Sequence, residues 1–315
     1  MRVQVYSLLH IEPKEFSRVN LQKTSFEKSI EIYFRNALTL QKSLEQIGLE
    51  FTLLTNDAQY LKNHFPTLIS RLNILEIEFT FPTPKGVKFY SSHHVFDVFQ
   101  FLSHTQQSYL IYLDLDVIAM NQLNARQIEA FTSSKAIALD HTMHSIDEWK
   151  YEMYSDLLLT RGKSGVIKWY GGEFLSGDEK FFKAISNQIQ LLTNNYLSNI
   201  EKIFHKGMET LLTAALLELE DEGWKLYDAT SYSLIVRIWE MPFKKQTEFY
   251  RNFKDFTFIH LPGYKEWLSE LSFEEFHVNE ILQKFRKKSN SRLIARAIKR
   301  FKNLVTLSVG VQLSD

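Results

Sequence analysis

The sequence predicts an α/β protein with a mixed, mostly parallel β-sheet flanked by helices. Val3–Leu9 alternates in polarity and is rich in β-forming residues, which predicts a first strand. Apolar residues between Ser25 and Ile47 recur at helical spacing, and Glu50–Thr55 has the composition of a second strand. A strand, a helix and a strand in this order predict a parallel βαβ unit with a nucleotide-type crevice at its strand ends.

The chain continues this pattern up to residue 272. Tyr109–Leu113 is a continuous apolar run, which is typical of a central strand buried on both faces. Further strands are predicted at 136–139 and 257–260, a glycine-rich turn and strand at 171–177, and helices at 94–102 and 208–219. No low-complexity linker interrupts these elements. The predicted organisation is therefore one domain over residues 1–272, followed by a helical tail over residues 273–315.

Composition narrows the class of protein. The chain has 315 residues, 44% of them hydrophobic and 23% charged, which is the composition of an ordinary soluble globular protein. Cysteine is absent, and this excludes disulfides, zinc–thiolate sites and cysteine nucleophiles. No segment approaches the roughly 20 apolar residues of a membrane-spanning helix, and the N-terminus resembles a first strand more than a signal peptide. We therefore expect a cytoplasmic protein.

The formal net charge of zero hides an acidic body and a basic tail. Residues 284–302 contain nine Lys or Arg and no Asp or Glu, so the chain up to Gln283 carries a net charge of −8. Residues 292–305 have the pattern of a basic amphipathic helix, with Ile294, Ile298, Phe301 and Val305 on one side. We expect residues 284–305 to lie on an anionic membrane surface, which makes the protein peripheral on the inner membrane face. Packing of the tail on the acidic body is an alternative, and no nucleic acid is expected because the body is acidic.

A pair of acidic residues follows the predicted central strand. Asp114 and Asp116 are two residues apart, so in an extended conformation their carboxylates point to the same side. Hard carboxylate oxygens suit Mn²⁺ or Mg²⁺, and such an ion would neutralise a diphosphate leaving group. A pair with this spacing also arises by chance about once in a chain of this length, so its position after a buried strand is what favours function.

A second group of residues lies far downstream, in the segment His260-Leu-Pro-Gly-Tyr-Lys-Glu-Trp267. The imidazole of His260 ends a predicted strand and can complete a metal's ligand set with Asp114 and Asp116. Gly263 permits close approach of backbone to a phosphate, and Lys265 supplies a positive charge for it.

Together the two groups resemble the signature of GT-A-fold glycosyltransferases, especially the retaining glycogenin and bacterial lipopolysaccharide galactosyl- and glucosyltransferase type. Relative to that family's late motif, one residue fewer separates Gly263 from Lys265, and Glu266 replaces a proline. The resemblance implies a GT-A, Rossmann-like fold, binding of Mn²⁺ by Asp114, Asp116 and His260, and binding of the donor diphosphate by Asp114, Gly263 and Lys265.

Two glutamates are candidates for the active-site carboxylate. Glu173 follows a glycine pair, a pattern that resembles the segment carrying the base of inverting galactosyltransferases. Glu209 lies in the first turn of a predicted helix, where the helix dipole also favours a carboxylate without a function. Further candidates are Lys88 for donor contact, and Trp169 and Tyr170 for stacking on an acceptor sugar, although a solvated lysine and core aromatics are the plain alternatives.

The predicted function is transfer of a hexose from a UDP-sugar to a saccharide or lipid-linked glycan acceptor, with retention favoured over inversion. Synthesis of cell-surface polysaccharide or lipopolysaccharide is the expected setting. A catalytically inactive scaffold of the same fold is one alternative. A sugar-nucleotide pyrophosphorylase is another, but the segment after the first strand contains no glycine to hold a phosphate.

Overall fold

The computed structural model describes residues 2–13, 25–84, 86–87, 90–106, 109–238, 255–271, 279–281, 283–285, 287–288 and 290–291. Over these residues the chain forms a seven-stranded sheet, a second sheet of three short strands, and helices on both sides of the large sheet. The predicted α/β fold with a mostly parallel sheet is confirmed.

The large sheet contains seven of the ten described strands. They are β1 (Val3–Leu9), β2 (Glu50–Thr55), β3 (Ile74–Glu76), β4 (Tyr109–Leu113), β6 (Ala136–Asp140), β7 (Tyr170–Gly177) and β8 (Leu226–Asp228), in the spatial order β3-β2-β1-β4-β7-β6-β8. Strand β7 is antiparallel to both of its neighbours, and the other pairs are parallel. The predicted parallel pairing of the first two strands is confirmed, and β4 is central and fully buried.

Helices cover both faces of this sheet. They are α1 (Phe26–Gln46), α2 (Ala58–His64), α3 (Pro66–Ile69), α4 (Val95–Leu102), α5 (Ala125–Thr132), α6 (Thr142–Arg161), α7 (Glu179–Ser198) and α8 (Met208–Asp221). Side chains alternate along β4, so Ile111 packs in the core beneath α1 and α5, whereas Leu110 and Tyr112 pack beneath α4, α7 and α8. Burial on both faces explains why β4 is a continuous apolar run.

The predicted first helix is confirmed. Ser25 caps it by accepting a hydrogen bond from the Lys28 backbone N–H at 3.2 Å, and Gly48 follows it with a φ of +74°. Helix α1 is long enough to pack against both the large sheet and the second sheet. It thereby holds the two sheets together.

The second sheet was not expected from the sequence. It consists of β5 (Val117–Ala119), β9 (Ile235–Arg237) and β10 (Phe258–His260), with β10 in the middle. Within β10, His260 pairs with Val117 on one side and with Arg237 on the other. After β10 come a 3₁₀ turn at Pro262–Tyr264 and the short helix α9 (Lys265–Ser269).

The Asp114–Asp116 segment joins the two sheets. Asp114 follows β4 of the large sheet, and Asp116 precedes β5 of the small one. Leu115 and Asp116 form a turn, closed by a hydrogen bond of 3.3 Å from the Val117 N–H to the Asp114 carbonyl. The expectation of an extended segment is therefore wrong, because the chain has to change direction between the sheets.

The beginning of the predicted tail packs on the body. Ile281 and Phe285 are both 4% exposed and lie in one apolar cluster with Tyr264 and Trp267, beside the segment that carries Lys265. The predicted amphipathic helix over residues 292–305 lies outside the described residues. No helix in the described part of the chain combines the length and the apolar character that crossing a bilayer requires.

Candidate functional site

Asp114, Asp116 and His260 come together although 144 residues separate the last two in the sequence. One ligand atom from each lies within 4.8 Å of the others. The turn between the two sheets carries both aspartates, and the backbone N–H of Leu261 donates to the Asp116 carbonyl at 2.9 Å. That hydrogen bond joins the end of β10 to the aspartate turn, so backbone pairing determines how far the three side chains are apart.

The ring of His260 is oriented by a fourth carboxylate. Its Nδ1 lies 3.1 Å from Oε1 of the buried Glu173. Its Nε2 faces Asp116 Oδ1 at 3.2 Å and Asp114 Oδ2 at 3.8 Å, yet it is buried and forms no hydrogen bond with a described residue. When Nδ1 carries the proton, the Nε2 lone pair points at two carboxylates, an arrangement that requires positive charge between them.

The pKa values of the two aspartates shift in opposite directions. Burial and the charge of Asp116 raise the pKa of Asp114 to about 6. Burial also acts to raise the pKa of Asp116, but the ion pair with the Lys265 ammonium and the nearby His260 ring outweigh it and lower that pKa. Burial acts to lower the pKa of His260, but Asp116 and Glu173 outweigh it and raise the pKa to about 9. The raised pKa values of Asp114 and His260 both reflect carboxylates that favour positive charge between them.

Glu173 is the centre of a buried ion network. It is 1% exposed, and its two carboxylate oxygens receive both an Nε and an Nη2 hydrogen bond from Arg237. His141 Nε2 lies 3.1 Å from Oε1 as well. Burial acts to raise the pKa of Glu173, but Arg237, His141 and His260 hold it well below the usual range. This carboxylate is permanently charged and surrounded by partners.

The two glycines before Glu173 are required by close packing. A Cβ on Gly171 would lie 2.7 Å from Nε2 of His141, and one on Gly172 would lie 2.5 Å from Sδ of Met208. A side chain at Gly171 would displace His141 and the Glu173 carboxylate, and one at Gly172 would displace the end of the Met208 side chain. The glycine pair that singled out this segment in the sequence is therefore explained by packing beneath the site.

Glu209 lies beside this network and reaches the pocket. Its Oε1 accepts a hydrogen bond of 2.9 Å from Arg237 Nη2, and its Oε2 accepts one of 3.3 Å from the Trp169 indole N–H. Burial acts to raise the pKa of Glu209, but Arg237 and His205 outweigh it, so the pKa is lowered. Its side chain retains 19% exposure, whereas that of Glu173 has none. Glu209 is the carboxylate of this pair that a ligand can touch.

A pocket of about 450 Å³ contains these groups. Its floor is formed by Asp114, Asp116 and His260 together with Glu173, Glu209 and Arg237, and the aspartates lie where β4 ends. Its walls come from the end of β1, the buried face of α1, the 3₁₀ turn Tyr90–His94 and the loop before α8, and they include Leu9, His10, Tyr33, Ser91 and His205. A crevice at the carboxyl ends of parallel strands is the usual place for a ligand in an open α/β sheet.

Most of the predicted site residues meet in this pocket, but not all. Asp114, Asp116, Glu173, Glu209, His260 and Lys265 line it, and Gly263 lies in the adjoining 3₁₀ turn. Trp169 and Tyr170 are 2% and 3% exposed and are not among the residues that line it. Trp169 instead contacts the site through Glu209. Lys88 lies outside the described residues.

Sequence reasoning missed Arg237 and His141. Arg237 ends β9 and bridges Glu173 and Glu209, and His141 follows β6 and contacts Glu173. The available signal was position, since each directly follows or ends a short β-rich run. Neither residue belongs to a recognisable spacing motif.

We expect Arg237→Met to destabilise the protein by about 3–5 kcal/mol, because it leaves Glu173 buried without its main cation. Urea unfolding followed by circular dichroism measures this change. Arg35→Met is the control: its pair with Glu31 is at the surface, where an ion pair contributes less than about 1 kcal/mol. Equal effects of the two substitutions would contradict the bridging role of Arg237.

His10 lies at the end of β1 within an aromatic group. Its ring centroid lies 4.4 Å from that of His94 and 5.7 Å from that of Phe79, and its edge meets Tyr90 at 6.1 Å. Burial, reinforced by His94, lowers the pKa of His10 to about 3. The folded protein therefore keeps this ring neutral down to acidic pH.

This shift predicts a loss of stability in acid. Below about pH 6.5 the unfolded chain takes up a proton at His10 that the folded chain refuses until about pH 3, so the free energy of unfolding falls as the pH drops through this window. Replacing His10 by Gln should flatten that slope, as measured by urea unfolding between pH 4 and pH 7. The exposed His104→Gln serves as control, and an unchanged slope in the His10 variant would refute the assignment.

No family model and no curated protein matches the chain, but solved structures do. Two similar structures are the crystal structure of the galactosyltransferase LgtC in complex with donor and acceptor sugar analogs, and an active-site mutant of LgtC. Each is 10% identical in sequence, covers 82% of this chain and 86% of its own, and has a TM-score of 0.44 and 0.45, respectively.

Proposed function

We propose that the chain is a metal-dependent glycosyltransferase that moves a hexose from a UDP-sugar to a saccharide or lipid-linked glycan acceptor. The observation that carries this proposal is the His260 Nε2 atom, which is buried, lacks a hydrogen-bond partner among the described residues and faces two carboxylates. A cation at this point would satisfy all three groups, and the pocket above it is large enough for a nucleotide-sugar.

Charge supports a divalent ion. Five acidic residues line the pocket. Glu12 follows β1, and the other four lie in the floor with the two permanent cations Arg237 and Lys265; these four are Asp114, Asp116, Glu173 and Glu209. A metal ion would displace the proton from His260, and with the histidines neutral the floor carries two excess negative charges, which one Mn²⁺ or Mg²⁺ balances. Asp114, Asp116 and His260 would hold that ion, and it would supply charge neutralisation for the diphosphate that leaves.

The donor would extend from the metal cluster along the pocket wall. Lys265 lines the pocket beside Asp116 and is available to a phosphate once a metal ion shares that carboxylate. Asp114 and Gly263 lie in the segments that carry Asp116 and Lys265, and we propose that both contact the donor diphosphate. Lys88 is proposed as a further donor contact. The nucleoside would lie toward the end of β1, where His10 and Tyr33 form the wall.

We assign different roles to the two glutamates. Glu173 orients His260 and holds Arg237, which makes it a positioning residue, because its carboxylate has no exposed surface for a substrate. Glu209 is the group that would contact the sugar. Both carboxylates are ion-paired with lowered pKa values and are therefore weak bases, which favours the retaining over the inverting reaction.

The first test is binding. UDP together with Mn²⁺ should raise the melting temperature of the full chain. Asp116→Asn should lower the affinity for Mn²⁺ at least about 100-fold, since it removes the charge of a ligand. Asp57→Asn is the control, because asparagine caps α2 as well as aspartate does and Asp57 is not among the pocket-lining residues. GDP- and CMP-sugars complete the screen. If no nucleotide or nucleotide-sugar stabilises the protein with either metal, the proposed function is wrong.

We also propose that the acceptor is presented at an anionic membrane, as an intermediate of cell-surface polysaccharide or lipopolysaccharide synthesis. The basic stretch at 284–305 supports this setting, with the protein peripheral on the cytoplasmic face. The buried Phe285 limits how the tail can be removed, because its ring lies 4.9 Å from that of Tyr264, beside Lys265.

Removal of residues 292–315 is therefore the informative truncation. It should abolish sedimentation with vesicles of phosphatidylcholine and phosphatidylglycerol while donor hydrolysis stays near the full-length rate. Removal from residue 284 onward should also reduce donor hydrolysis, since it exposes Tyr264 and Trp267. Full vesicle binding by the chain that lacks residues 292–315 would refute the membrane proposal.

A further inference from the structure

We propose that Trp149 and Phe204 form an outer subsite that binds a sugar ring of an oligosaccharide acceptor. Their rings stack at a centroid distance of 5.2 Å with an interplanar angle of 26°. Trp149 is 41% exposed and Phe204 is 56% exposed, so each ring keeps surface open to solvent. This inference rests on the proposed function, because it assumes that the pocket transfers a sugar to a glycan.

The pair is connected to the pocket through the residue that follows Phe204. Phe204 directly precedes His205, which lines the pocket wall and whose Nε2 lies 3.5 Å from Glu209 Oε2. A saccharide whose reacting end lies near Glu209 would therefore reach Phe204 with its next units. One residue, His205, thus separates the aromatic pair from the carboxylate that would contact the sugar.

The loop that displays Phe204 is built to be rigid. Asp156 of α6 is 1% exposed, and its two oxygens accept hydrogen bonds of 2.8 Å each from the Phe204 and His205 backbone N–H groups. The Thr210 hydroxyl donates to the His205 carbonyl at 2.6 Å, and the edge of the Trp169 ring contacts the His205 ring. A buried carboxylate thus orders a loop whose tip exposes a phenyl ring, and this lowers the entropic cost of binding.

Trp149 lies at a kink in α6. Its backbone has φ −126° and ψ 15°, which departs from helical values within an otherwise helical segment. The ring at this kink stacks on Phe204, whereas Tyr151, two residues further along the same helix, is 86% exposed.

Stacked, exposed aromatic rings suit a carbohydrate. One face of a pyranose presents C–H groups that carry slight positive charge, and the face of an aromatic ring is negative. Stacking of this kind needs no particular hydroxyl pattern. The affinity for an acceptor would therefore rise when the saccharide is long enough to reach the subsite. The prediction is that oligosaccharides bind better than the monosaccharide that contacts Glu209.

The test begins with the full-length protein on an array of defined monosaccharides to pentasaccharides, in the presence of UDP and Mn²⁺. The best oligosaccharide is then titrated against Trp149→Ala and Phe204→Ala, and each variant should bind it about three- to tenfold more weakly. Trp149→Phe and Phe204→Tyr should restore affinity, because they keep an aromatic face. Tyr151→Ala, which removes a more exposed aromatic side chain from the same helix, should have no effect.

Other readouts separate this inference from the proposed function. Stabilisation by UDP and Mn²⁺ should be the same in the wild type and in all five variants, and affinity for a monosaccharide should not change. If UDP and Mn²⁺ stabilise the protein but the alanine variants bind oligosaccharides like the wild type, the subsite is refuted and the proposed function stands. Failure of every oligosaccharide to bind, or a change of oligomeric state in the alanine variants in place of a change in affinity, also refutes the subsite.

Discussion

The carboxylate of Glu173 is the group on which the candidate site depends. It comes from β7, which is antiparallel to both of its neighbours in the large sheet, and it contacts a residue from each of two strands of the small sheet, Arg237 and His260. A buried charge with partners this close costs little only while all of them remain in place. The position of the ring of His260, and hence of the nitrogen that faces the aspartates, follows from this single contact.

Strand β7 acquires its importance from its direction. Because it runs opposite to β4, its residue Glu173 meets Asp114 across the strand pair, and the Asp114 N–H donates to the Glu173 carbonyl at 3.1 Å. A parallel strand in the same place would bring its other end to this edge of the sheet. The two glycines that precede Glu173 then leave room for His141 and for the first turn of α8.

Local patterns predicted the parts of the molecule that are long or strongly patterned. The first helix, the first two strands and the buried strand β4 could be read from periodicity, and the Asp114, Asp116 and His260 group from two short motifs at strand ends. Of the small sheet only β10 was predicted, as the strand at 257–260; β5 and β9 were not, because three residues are too few to show a period. Arg237 and His141 were not predicted either, because their contacts to Glu173 span 64 and 32 residues. Trp169 and Tyr170 look like sugar-stacking residues in sequence, yet both are buried, and burial depends on packing that no spacing reports.

The turn at Asp114–Asp116 has a consequence for how the molecule holds together. Its two carboxylates lie where the large sheet ends and the small sheet begins, and His260 belongs to the small sheet alone. An ion bound by all three would link the end of the large sheet to the small sheet. Occupancy of the site would then stabilise the contact between the two sheets, in addition to the helix α1 that packs on both.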